Sequence, residues 1–500
     1  MGSIVLIGYD YMLSNAVEHH FRTLVLMVIG FLVVTDGGVP YAAAAIAFAV
    51  LSAVMAVTAS LASHRPLLHR LRLAALAAGF VVCVQVGLQV RWDETGVAVH
   101  PIWQHLTEQF GVVGGTAAIT RMQAIWELPG ALTPFVAFAA ALLLFRRASS
   151  ASRFWTVVAV LGTVFATYGL LQSMLFPTWH FGERTFYGDS LTGFYVNRNV
   201  AASLMTLTAL ATVVVLDSDI ARFDASHWQR LVLGRTRWRT ADRQLAINVA
   251  MLLVQFAAIF LTRSRAGAVI GLLSISTLLV LRWRDHFAGA VRLAGRWPWL
   301  IGLGLVAVLV LLLAGRVADR YEVQGLEDGR WCVYPAMMRM VADNLPWGVG
   351  LGGFTNAFAS YRDPLCGVAG IWDSAHDLYI QGLATMGIVF PVILGLAVLL
   401  LVPPLVTAMR RDGQARPQAL ATLIAIVALA VHSIVDFPLE IPANATILAV
   451  MIATTIAAST DRPRTHHRRA RKTPRAEAGR KTGHPEEQNP LGVAGSAAGR

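Results

Sequence analysis

The sequence predicts an all-α, polytopic integral membrane protein: a bundle of about 12 transmembrane helices with one large outer loop that holds short helices. Three observations predict it. Of the 500 residues, 56% are hydrophobic and only 14% are charged, whereas a soluble domain carries about 25% charged residues. The apolar residues fall in blocks long enough to cross ~30 Å of hydrocarbon. Inside lipid such blocks must be helical, because no water is present to bond the backbone N–H and C=O groups. Finally, basic residues recur in every second connection, the distribution that orients multi-span proteins.

In chain order the spans begin near Arg22, Ala42, Arg72, Ala131, Phe154, Val200, Ala246, Ala266, Pro298, Leu378, Ala419 and Pro442. The first is short and stops at Asp36-Gly37-Gly38-Val39-Pro40, a tight-turn composition. No segment has the layout of a cleaved signal peptide, so the first apolar block is expected to remain as an anchor. The last ends near Ser459. The connections His64–Arg72, Arg146–Arg153, Arg222–Arg243, Arg282–Arg296 and Arg410–Arg416 are basic, and all fall inside when the amino terminus is inside. Both termini are then cytoplasmic. The outer connections are 91–130, 176–198, the Arg263–Arg265 turn, 316–376 and 436–441.

Residues 1–459 form the transmembrane domain and 460–500 a basic tail. Beyond Thr460 the tail has ten Lys/Arg and four Asp/Glu, half of the net charge of +12. Its few apolar residues predict disorder, and a solvated segment beside anionic lipid accounts for its charge. The net charge is thus topology plus tail, and nucleic acid is not implied. There are three cysteines. Cys83 falls within a span. Cys332 and Cys366 both fall in the outer loop and would pair in an oxidising compartment, but a disulfide also needs a short Cα separation that sequence does not supply. Both states stay open at this point.

Within the loop, residues Gly329–Asp343 predict a helix with Trp331, Met338 and Val341 on one face. Pro335 marks a kink or a later start. Asn344-Leu345-Pro346-Trp347 then leads into Gly348, Gly350, Gly352 and Gly353. This glycine run lacks a preceding strand and a Gly-Lys-Ser/Thr ending, so it is read as a close backbone turn and not a phosphate loop.

Chemistry-bearing residues gather on the outer side. His376 lies where the tenth span begins, in Asp373-Ser374-Ala375-His376-Asp377-Leu378. Its bland reading is an interfacial hydrogen-bonding residue. Its chemical reading is a base, since neutral imidazole accepts a proton near physiological pH, with Asp373 or Asp377 orienting the ring. Arg263 and Arg265 share the break Leu261-Thr262-Arg263-Ser264-Arg265 between two spans. Snorkelling would explain one arginine there; two, on the side where basic residues are scarce, favour bidentate binding of phosphate oxygens. Arg198 opens the sixth span and Arg330 the loop helix, each adding charge to the positive end of a helix dipole. Together the four arginines outline a diphosphate cradle. His432 and Asp436 are four apart and are expected on one helix face, as a structural pair. The outer side has no HExxH, paired CxxC or DxD-like motif, so metal chemistry has no sequence support, and arginines would neutralise a departing diphosphate instead.

The strings GFYVNRNVAA, LTRSRAG, DNLPWGVGLGGF, AHDLYIQGLATMGIV and HSIVDFP occur in an order that resembles the O-antigen ligase family. The resemblance covers about 190–440 and is strongest over 246–402. It implies a helical fold of the GT-C type with a large periplasmic loop, 316–376, between late spans, in the bacterial inner membrane. It also implies transfer of an oligo- or polysaccharide from undecaprenyl diphosphate to an acceptor hydroxyl such as that of lipid A-core, with inversion and without metal or cofactor. By resemblance His376 is the general base, Arg198 and Arg265 are catalytic contacts to the donor diphosphate, and Arg263 and Arg330 join them. Asp377, Asp373, His432 and Asp436 are supporting residues. Many members read His-Asn where this chain has His376-Asp377. Two alternatives lie in the same superfamily: an O-antigen or exopolysaccharide polymerase, and a protein O-oligosaccharyltransferase. A glycan flippase is the alternative of another class; it would place polar groups at the midplane, whereas here they collect at one face. The expected partners are the lipid-linked donor, the glycan or protein acceptor, and membrane lipids.

Overall fold

The computed structural model describes residues 2–59, 65–95, 99–177, 190–223, 238–287, 330–363, 366, 370–411 and 413–461. The span expected from Pro298 and the tail from residue 462 lie outside the described residues. Among the described residues there are helices and turns, no strand, and one isolated antiparallel bridge between Asp93 and Gly115. The helices are α1 (Gly2–Val34), α2 (Tyr41–Thr58), α3 (Pro66–Val90), α4 (Pro101–Phe110), α5 (Arg121–Leu144), α6 (Ala148–Leu175), α7 (Arg198–Ile220), α8 (Thr240–Leu261), α9 (Arg265–Phe287), α10 (Arg330–Asp343), α11 (Phe354–Phe358), α12 (Leu378–Met386), α13 (Val389–Met409), α14 (Ala415–His432) and α15 (Pro442–Ser459). Among the described residues, eleven helices are long and apolar enough to cross a membrane. The protein is a polytopic helical membrane protein, as its composition predicts.

α7 and α15 form the centre: 89% of each span is buried, against 6% for α13. Small residues allow this close packing. A Cβ at Gly162 of α6 would lie 2.1 Å from Thr208 of α7, and one at Gly267 of α9 would lie 2.4 Å from Ala202 of α7. At the end of the bundle away from His376, buried acids hold the basic residues. Glu18 receives Arg22 and, at 3.0 Å, Arg146. Asp217 receives Arg282 Nε at 2.8 Å.

Four expectations are corrected. α1 extends upstream to Gly2 and is not short. α5 begins at Arg121, ten residues before Ala131, with Pro129 and Pro134 inside it; prolines are tolerated inside membrane helices because neighbouring groups re-satisfy the freed backbone. The tenth span does not begin at Leu378. The chain breaks at Gly387 (φ 56°) into α12 and the long apolar α13, because Gly387 packs on the Pro346 carbonyl and leaves no space for a side chain. Finally, α10 runs unbroken through Pro335, and its buried face is Val333, Met337, Met340 and Val341. Met338 is 46% exposed and Trp331's side chain lies outside the described residues, so the true face is offset from the expected one.

The loop builds a core of its own, in which the α10 face packs with Phe354, Phe358, Ala375 and Ala384. Cys332 and Cys366 form a disulfide with a Cα separation of 5.7 Å, tying α10 to the segment after α11. The glycine run is a close turn. Val349 N donates to Ala384 O at 2.8 Å and Gly350 N to Thr385 O at 3.1 Å. Two glutamines one turn apart on α3 anchor it to the bundle: Gln85 Nε2 donates to Trp347 O at 2.8 Å, and Gln89 Nε2 to Trp347 O and Thr385 O at 2.7 and 2.8 Å.

Candidate active site

Side-chain caps set the first residues of three helices. Asn197 Oδ1 accepts from Asn199 N at 2.7 Å and Val200 N at 3.3 Å, so Arg198 is the first residue of α7. Ser264 Oγ accepts from Gly267 N at 3.1 Å, which starts α9 at Arg265. Arg263 occupies the connecting turn with a left-handed φ of 55°. The contact of Gly267 with Ala202 sets the first turns of α7 and α9 side by side, and Leu191 N, in the segment before α7, donates to O of Leu261, the last residue of α8, at 2.9 Å. Arg198 and Arg265 therefore occupy neighbouring helix N-termini, where the dipole favours an anion.

The third cap is Asp377, whose Oδ1 accepts from Tyr379 N at 2.8 Å and Ile380 N at 2.9 Å. Burial pushes its carboxyl above the usual range, against the pull of those two hydrogen bonds. His376 precedes it with φ 51°. That backbone is held by Ser374 Oγ, which accepts from His376 N at 3.2 Å, and by Ser433 O, which accepts from Leu378 N at 2.9 Å. The imidazole lies between the rings of Trp372 and Phe437, with centroids 5.9 and 5.1 Å away. Its Nδ1 is 4.0 Å from Asp436 Oδ2.

The expected pairing of His432 with Asp436 on one helix face is corrected. α14 ends at His432 and the chain turns before Phe437-Pro438. His432 points into the bundle, with Nδ1 2.7 Å from Ser203 Oγ. Asp436 is 1% exposed; Oδ1 accepts from Phe437 N at 2.9 Å, and Oδ2 accepts from Asn199 Nδ2. The carboxylate that faces the His376 ring is thus Asp436. Asp377 is occupied as a cap, and Asp373 is exposed, its backbone carbonyl accepting from Thr355 Oγ1 at 3.4 Å. Arg330 opens α10, and its side chain lies outside the described residues.

His376, Asp436, Asn199 and the first turns of α7 and α9 therefore meet at one end of the bundle. Residues 250–395 match the family model described as O-Antigen ligase. This segment is similar to the O-antigen ligase family. No curated protein matches the chain. The matched segment contains Arg263, Arg265, Arg330 and His376, while Arg198, His432 and Asp436 fall outside it and join through the packing of α7 and α14. The chain is thus similar, over that segment, to membrane glycosyltransferases of the O-antigen ligase and polymerase type.

Sequence reasoning missed three groups here. Asn199 was visible only as part of the string NRNVAA. Glu440 is pushed well above the usual carboxylate range by burial and then by Asp436, Glu127, Asp373 and Asp377; its spacing of four from Asp436 was the available signal. Asp36 Oδ1 accepts from Val196 N at 2.9 Å, two residues before Arg198, and nothing in sequence linked the two turns.

Proposed function

We propose that the protein transfers an oligo- or polysaccharide from undecaprenyl diphosphate to an acceptor hydroxyl, such as one on lipid A-core, at the periplasmic face of the bacterial inner membrane. The observation that carries this reading is the meeting of a His–Asp pair with two arginine-bearing helix N-termini. Neutral His376 takes the proton of the acceptor hydroxyl as its oxygen attacks the anomeric carbon. The bond from that carbon to the diphosphate oxygen breaks, and undecaprenyl diphosphate leaves with the electron pair. Attack opposite the leaving group inverts the anomeric centre. Asp436, 4.0 Å from Nδ1, stabilises the imidazolium that forms. Arg198 and Arg265, with Arg263 and Arg330, hold the diphosphate and neutralise its developing charge. A groove between spans takes the polyprenyl chain. No step calls for a metal or cofactor.

Two observations support the orientation. The disulfide is of a kind that persists in an oxidising compartment, and Arg22 and Arg146 sit at the opposite end with Glu18.

The test is transfer of radiolabelled glycan from undecaprenyl diphosphate by detergent-purified protein in EDTA, with lipid A-core, a second repeat unit or a pilin-like protein as acceptor. Wild type is expected to transfer. His376→Ala and Arg265→Ala should each lower kcat by about 100-fold or more while remaining folded. The acceptor that becomes glycosylated separates ligase, polymerase and protein glycosyltransferase. Full activity in both variants would remove the site, and movement of glycan across liposomes without transfer would favour a flippase.

A further inference from the structure

Asn199 follows Arg198 in the first turn of α7, and its side chain crosses to the turn after α14. There Nδ2 donates to Asp436 Oδ2, the same oxygen that lies 4.0 Å from His376 Nδ1. The second oxygen, Oδ1, accepts from Phe437 N at 2.9 Å. A buried carboxylate bound at both oxygens is not free to rotate about its terminal bond. Asn199 is itself held, since its backbone N–H donates to Asn197 Oδ1 at 2.7 Å. One rigid helical turn therefore carries Arg198 and, through a single amide, the carboxylate that faces His376.

We propose that Asn199 is a positioning residue for the transfer step, its amide aiming the Asp436 carboxylate at His376 and setting that pair in fixed register with the Arg198 end of α7. This rests on the transferase reading above. Any donor in this position must be a side chain that is neutral and short. An aspartate of the same shape would set a second carboxylate against Asp436.

The test uses the full chain and compares wild type, Asn199→Ala, Asn199→Asp, and the exchanged pair Asn199→Asp with Asp436→Asn. The readouts are kcat, donor KM and Tm. Asn199→Ala is expected to lower kcat by roughly 10- to 100-fold with donor KM within about threefold of wild type, the pattern of a lost transition-state interaction. Asn199→Asp should lose more. The exchanged pair restores an amide–carboxylate hydrogen bond between α7 and the turn. It should recover Tm over Asn199→Asp but not kcat, because the charge now sits away from His376. Recovery of kcat in the exchanged pair would reduce Asn199 to a strut and overturn the proposal. Wild-type kcat in both single variants would overturn it as well. A wild-type protein that transfers to no acceptor sinks the transferase reading, and the role of Asn199 with it.

Discussion

His376 adopts φ 51°, a left-handed backbone that costs a non-glycine residue about 1–3 kcal/mol. The surroundings hold it there: Ser374 below, the Asp377 cap ahead, and Ser433 O fixing the next residue but one. The strained residue is thus the one with imidazole chemistry, and the strain aims its ring at Asp436. Asp36 is a second residue with left-handed φ, 52°, and it has a measurable consequence. Burial raises its carboxyl from 3.8 to about 6. Since the folded value lies above the unfolded one, the folded state holds the proton more tightly. The stabilisation is complete below about pH 4 and is lost as pH rises to about 6. Asp36→Asn keeps the acceptor for Val196 N and removes the titration. It should raise Tm near neutral pH and reduce the fall in Tm between about pH 4 and 6, as followed by thermal unfolding in detergent. An unchanged slope would mean the carboxyl does not titrate there.

The interruption between α12 and α13 decides where His376 sits. α12 lies on the loop core and on the end of α14, where Tyr379 OH donates to Ala430 O at 2.9 Å, and only α13 is long enough to span. Gly387 makes the break: a Cβ there would lie 1.9 Å from Pro346 O, and Ile388 N donates to that same carbonyl at 3.1 Å. Gly387→Ala meets both a clash with backbone and a left-handed φ of 56°. It is expected to lower Tm strongly or prevent accumulation of folded protein, by several kcal/mol on the order of magnitude of such backbone conflicts. Expression with fluorescence-detected size exclusion checks this, and a monodisperse wild-type profile would refute it. The cap residues act on the same scale, because Asn197, Ser264 and Asp377 each choose which basic or imidazole-bearing residue stands at a helix end.

For the whole molecule, the disulfide joins topology to chemistry. Cys332 and Cys366 close a 34-residue separation in the loop, worth about 4 kcal/mol on the chain-entropy model. Both lie at the His376 end of the bundle, and Cys83 is free. Protein denatured without reductant should present one thiol to a maleimide, and three after reduction. Replacing both loop cysteines by serine should lower Tm. Three reactive thiols before reduction would indicate a reducing compartment and turn the bundle over. The centre of the molecule is α7: it touches α6, α8, α9 and α14, and its first turn carries Arg198 and Asn199.

Lipid has one rule, that every backbone polar group must bond internally, and the rule is local. For that reason the order of spans, the alternation of charge, and the types of residue at their ends were legible in the chain: His376, Arg198 and Arg265 each stand at the start of a helix, as their neighbours Asp377, Asn197 and Ser264 dictate. What the tertiary structure decided is which side chains meet. His432 and Asp436 share a helical spacing but point to different partners, because α14 stops between them. The carboxylate at His376 comes from 60 residues along the chain and not from either flanking aspartate. Asn199 reaches across 237 residues to hold it. Such contacts depend on how glycines at 162 and 267 let α6 and α9 close on α7, a packing outcome summed over many small contacts that no single stretch of sequence encodes.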